Sequence, residues 1–135
     1  MSNPNQKRDV KLTLSALIAK KADKEAARNR SEDMYIESLG GCITIDVPIR
    51  SILYKAIDMT GDTTESQVYA NMFIIYNAVS LFRNPELLEA YDIKDNVEIV
   101  DRLLTIAEIR EVAERVLELA GFSKPEEVKQ EQKNS

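Results

Sequence analysis

The side chains able to do covalent or acid–base chemistry are few, and their spacing does not assemble them. The 135 residues include no His, no Trp and one Cys, Cys42. Without His there is no Ser-His-Asp or Cys-His nucleophile, no imidazole base and no His-containing zinc site. One Cys excludes an intramolecular disulfide and a thiolate zinc cluster. Cys42 begins an extended run with no base beside it, and reads as a buried or half-buried inert thiol. Glu86/Glu89 and Asp92/Asp95 have a spacing that a metal or an acid–base pair would accept. Helix starts of the Asn-Pro-Glu and Asp-Asn-x-Glu type produce the same spacing, and capping is the preferred reading. Asp58-x-x-x-Asp62 lacks the ligand density of a calcium loop. Gly40-Gly41 lacks the Lys-Ser/Thr and helix start that would complete a phosphate cradle. No catalytic residue, metal site or cofactor is therefore expected.

The elements that would position any site are mostly helical. Residues 12–28 read as one helix capped by Thr13 or Ser15, with a short apolar stripe of Leu14, Leu17, Ile18 and Ala22. Such a helix is marginal alone, so it either docks or stays mobile until a partner arrives. Residues 33–47 switch to a period of two around Gly40-Gly41, which predicts a β-hairpin that must pack on helices. Met34, Ile36 and, at the end of the run, Ser38 fall on one face, Tyr35, Glu37 and Leu39 on the other; Ile43, Ile45 and Val47 alternate with Thr44 and Asp46. Pro48 opens a helix at its first position, running to about Met59 with a stripe of Ile49, Ile52, Leu53, Ala56 and Ile57. Gly61 is the expected stop.

The next helix starts at Asp62/Glu65 or Thr64/Gln67 and runs to about Phe82. It is apolar on almost every side, which marks a central core element or one that offers a second face to a partner. Asn71, Asn77 and Ser80 inside it argue against a membrane span. Asn84-Pro85 starts a short helix with Leu87, Leu88 and Tyr91 inward, and Asp95 starts another with Ile99, Val100, Leu103 and Leu104. Thr105/Glu108 is a capping box for a last helix with Ile106, Ile109, Val112, Ala113, Val116, Leu117 and Ala120 inward, an exposed Glu111–Arg115 pair, and Gly121 just past its end.

The net charge of −5 is unevenly distributed. Residues 1–30 hold eight basic and three acidic side chains, while residues 31–135 hold 10 basic and 20 acidic, so a +5 arm precedes a −10 body. The expected organisation is a basic helical arm (1–31), a globular helical domain with the hairpin (32–122) and a polar flexible tail (123–135). The fold class is mostly α (α+β), and the body is large enough to fold alone. A polar N-terminus without a signal peptide, and no membrane span, point to the cytoplasm. Nucleic-acid binding by the arm is unfavoured, because the acidic body repels phosphate and no aromatics interleave the basic residues.

One further signal lies in the linear order of segments. A charged helix, LSALIAKKADKEAAR (14–28), precedes the Gly-Gly hairpin. Then come Pro48-x-Arg50-Ser51, NPELLEAY (84–91), VDRLLTIAEI (100–109) and LELAGF (117–122). This order resembles the tail assembly chaperones of PBSX-type prophages and related contractile-tail phages (XkdN-like), over about residues 12–122. The resemblance implies a non-enzymatic protein of the host cytoplasm. It would bind the long helical tape measure protein and keep it soluble while the tail tube assembles, with the tail tube protein as a further partner. It also implies absence from the mature virion and, in many relatives, a frameshifted C-terminal extension. Self-association is expected, and a membrane partner is not. A helix-binding chaperone needs apolar anchors on an acidic exterior. The candidate partner-binding residues are Leu14, Leu17 and Ile18 in the arm, Leu53 and Ile57 in one helix, and Tyr69, Met72, Phe73 and Tyr76 in the next. The alternatives are a structural or connector protein of the virion tail, and a small nucleic-acid-binding regulator using the arm.

Overall fold

Why these segments fold as they do is clearest at the centre. The computed structural model describes residues 8–122; the first residues of the arm and the polar tail expected at 123–135 lie outside the described residues. Helix α4 (Thr64–Ala78) buries Ala70, Met72, Ile74, Ile75 and Ala78, which point to more than one side of the helix. Such a helix needs neighbours all round. It has them in α3 (Arg50–Met59), α6 (Glu98–Leu103), α7 (Ile106–Leu119) and one face of a two-stranded sheet. The mostly α fold with one hairpin, expected from the sequence, is the fold observed.

The sheet pairs β1 (Ser31–Ile36) antiparallel with β2 (Gly41–Asp46), in a register that sets Met34 opposite Ile43 and Tyr35 opposite Cys42. Period-two alternation sends Ile36, Ile43 and Ile45 into the core and leaves Tyr35, Cys42 and Thr44 outside. Cys42 is thus exposed, not buried or half-buried as expected. The connection is also not a two-residue Gly-Gly turn. Residues Glu37–Leu39 form a 3-10 turn closed by Gly40 in the left-handed region (φ 67°), and Gly41 is already the first residue of β2.

Several helix ends differ from expectation for local reasons. The arm breaks at Lys20 into α1 (Leu14–Ala19), capped by Thr13, and α2 (Lys21–Arg28), and neither helix has a buried residue to hold the two in line. Pro48 is buried but precedes the helix. Ile49 is the extended cap residue, and α3 starts at Arg50. Thr63 caps α4, its Oγ1 accepting the Ser66 N–H at 3.1 Å. Gly61 is not a left-handed stop for α3. It is a close approach, where an added Cβ would sit 3.0 Å from Ser66 Oγ.

Helix α4 ends at Ala78 rather than Phe82. The chain turns through a 3-10 segment, Ser80–Arg83, which buries Phe82 and leaves Leu81 outside. Arg83 Nη1 donates to the Tyr76 carbonyl at 2.7 Å and so satisfies one of the helix's orphan acceptors. Asn84 and Pro85 start α5 (Pro85–Ala90) as a cap and first-turn proline. Helix α7 carries the full Thr105/Glu108 capping box. Its C-terminus is a Schellman closure, with Gly121 (φ 97°) donating to Glu118 and Phe122 donating to Leu117. Ile106, expected inward, is exposed at the first position of that helix.

Candidate partner-binding surface

Of the carboxylates considered for chemistry, Asp95 and Glu86 stand at helix starts. Asp95 Oδ1 accepts the Val97 N–H, and its Oδ2 accepts the Tyr69 hydroxyl at 3.0 Å, which raises the Tyr69 pKa above its ordinary value. Glu86 lies in the first turn of α5. Among the described residues no group of three or more His, Cys, Asp or Glu side chains is placed to hold a metal ion, and no helix is long and apolar enough to cross a membrane.

Two carboxylates instead fasten the hairpin to α7. Glu32, on the inner face of β1, receives a two-pronged ion pair from Arg115, with Nη2 and Nε each 2.6 Å from a carboxylate oxygen. This hydrogen bonding lowers the Glu32 pKa, and together with the Glu118 contact it raises that of Arg115. Arg115 therefore pairs with Glu32 and Glu118, not with Glu111, because the fork of the guanidinium is taken up by the sheet. Glu108 accepts from the Ser38 hydroxyl, the Thr105 N–H and the Ser38 N–H, and these hydrogen bonds hold its carboxyl down to about 2.

The nine residues singled out as partner anchors divide by position. Leu53 and Met72 are 1% and 7% exposed, so they are core residues and leave the candidate surface. Helix α3 lies directly on α4. Tyr69, Phe73 and Tyr76 are half-buried on one flank of α4 and pack on the core. Tyr69 is tied to Asp95, and the Lys55 ammonium stands 5.8 Å from the Phe73 ring centroid. Ile57 and Tyr54 are exposed on α3, as is its cap residue Ile49. At 100° per residue Ile57 is on the flank away from Lys55 and Phe73. Leu14, Leu17 and Ile18 form an exposed stripe on α1. These anchors do not form one surface.

The surface that does form was not among them. Beside the hairpin tip is an open cleft of about 510 Å³, within the usual range of binding clefts. Leu39 and Ile43 come from the hairpin, Leu81 and Phe82 from the 3-10 turn, and Leu87 and Leu103 from α5 and α6. Leu39 and Leu81 are 45% and 62% exposed. Glu86 and the single Cys42 lie on the lining. Apolar walls with one carboxylate suit an apolar side chain whose neighbours are basic. The sequence contained part of this signal, since Leu39 was placed on the opposite face of the hairpin from Met34 and Ile36. What periodicity did not supply was the end of α4 at Ala78, which turns Leu81 outward next to Leu39.

The sequence matches the family model described as phage XkdN-like tail assembly chaperone protein over residues 14–133. No curated protein and no solved structure matches the chain.

Proposed function

The chain belongs to the phage XkdN-like tail assembly chaperone family, and from that membership we propose that it binds the tape measure protein through the hairpin-tip cleft and keeps it soluble during tail assembly. The observation that carries this reading is the cleft itself, with exposed Leu39 and Leu81 held on a body that has no need of them in its core. An amphipathic helix presents apolar side chains at i, i+3, i+4 and i+7, and a cleft walled by leucines accepts such anchors. The body carries ten more acidic than basic groups, which favours client segments rich in Lys and Arg and keeps the complex soluble. The role is binding, without catalysis, in the host cytoplasm, and it ends before the virion is complete.

Co-expression with the tape measure protein tests it. The client is expected in the soluble fraction and co-purifying when this chain is present, and insoluble when it is not. Equal solubility with and without the chain, and no co-purification, would overturn the proposal. Detection of the chain in purified particles would support the structural-protein alternative instead.

A further inference from the structure

The arm and the cleft have complementary properties, yet the structure keeps them apart within one chain. Leu14, Leu17 and Ile18 occupy i, i+3 and i+4 of α1, so they form one stripe. They are 75%, 55% and 62% exposed, and no residue of α1 or α2 is buried. Over residues 8–30 the arm has seven basic and three acidic groups, whereas residues 31–122 have seven basic and 17 acidic. Lys20, Lys21 and Lys24 directly follow the apolar stripe. Glu86 lines the cleft, and Glu37 lies in the same short turn as Leu39. An apolar stripe followed by lysines thus matches an apolar cleft that has Glu86 on its lining and Glu37 in the adjoining turn.

The arm's root is at the far end of the hairpin from its own cleft. It enters β1 at Ser31, paired with Asp46 at the open end, while the cleft begins at Leu39 and Cys42 beyond the closed end. Strands of this length put roughly 17 Å between the two ends. The carbonyl of Arg30 is also fixed to the Val47 N–H, so the arm leaves the sheet edge in a set direction.

We propose that α1 of one copy docks in the hairpin-tip cleft of a second copy through Leu14, Leu17 and Ile18. Two copies exchanging arms make two identical contacts related by a twofold axis. The apolar stripe and the cleft then cover one another when no client is present. This self-association depends on the arm and the cleft alone and does not require the client proposed above to be correct.

Cys42 makes the contact testable in the full-length chain, because it is the one Cys and lines the cleft. One chain carries Leu17→Cys with Cys42→Ser, and a second, larger tagged chain keeps its native Cys42. They are mixed without tape measure protein and oxidised mildly. A disulfide-linked pair containing one chain of each kind is expected, and most of it should be lost when Leu14→Glu and Ile18→Glu are added. Ala16→Cys, on the opposite side of α1, should link far less. All these positions are exposed, so the body stays folded. Equal linking from positions 16 and 17 would overturn the proposal. So would a wild-type chain that sediments as a monomer at tens of micromolar, or a Leu17→Cys chain retaining Cys42 that links only within itself. None of these results bears on the co-expression outcome, so the two readings fail separately.

Discussion

Ser38 and Glu108, 70 residues apart in sequence, are joined by two hydrogen bonds. The Ser38 hydroxyl donates to Oε1 at 2.6 Å, and its backbone N–H donates to Oε2 at 3.1 Å. The same carboxylate also accepts the Thr105 N–H at 3.0 Å, completing the cap of α7. One side chain therefore closes a helix and fixes the turn that carries Leu39 into the cleft wall.

That arrangement has a pH dependence of defined sign. The Glu108 carboxyl is lowered from 4.5 to about 2 in the folded chain, chiefly by the Ser38 hydroxyl. A depressed carboxyl contributes stability that is present above the unfolded value and is lost as pH falls through the folded one. Stability should therefore drop between about pH 4.5 and about pH 2. Glu108→Gln should flatten that part of the profile and speed hydrogen exchange at the Ser38 amide. Denaturation curves across this range check it, and an unchanged acid profile in the variant would count against the staple.

The two adjacent glycines should respond differently to alanine. Gly40 has φ 67° and Gly41 is a strand residue, and neither has an atom within 4 Å of an added Cβ. Conformation alone then decides. Gly40→Ala should cost about 1 kcal/mol, and Gly41→Ala should stay within about 0.5 kcal/mol. Chemical denaturation of both variants measures the difference.

Leu81 and Phe82 separate surface from core in consecutive residues, at 62% and 2% exposure. Phe82→Ala should destabilise by about 3–5 kcal/mol, while Leu81→Ala should stay within about 0.5 kcal/mol. Thermal melts distinguish them. Similar losses at both would contradict the division of Leu81 to the surface and Phe82 to the core.

The contrast at these residues also shows how far the sequence was legible. Alternation around Ile43 and Ile45, the Asn84-Pro85 start, the Thr105/Glu108 box and the glycine closure at Gly121 are local signals, and each is realised as read. The long apolar run 64–82 was less informative, because a helix apolar on all sides has no periodicity to mark its end. The place where it stops depends on Phe82 reaching the core and on Arg83 returning to the Tyr76 carbonyl. Among the anchors, Leu53 and Met72 proved to be core, while Leu39 and Leu81 line one cleft only through the hairpin's packing. Arg115 is a parallel case, since helical spacing pointed to Glu111 and the sheet supplied Glu32.

The Glu32–Arg115 pair should behave as a coupled unit that holds the sheet on α7. Glu32→Gln and Arg115→Leu should each lower the melting temperature, and the double variant should lose less than the two losses combined. The wild-type advantage should shrink with added salt, as expected of a pair that water reaches. Full additivity of the two substitutions would show that they do not interact in solution.

The most direct measurement is co-expression of the tape measure protein with the wild-type chain and with Leu81→Glu, after matched thermal melts establish that the variant is folded. Leu81 is exposed, so its substitution by Glu should leave the body intact while placing a second carboxylate in the apolar cleft. The cleft account predicts soluble, co-purifying client with the wild-type chain and client lost to the pellet with the variant. Equal recovery of soluble, bound client with both chains would contradict it.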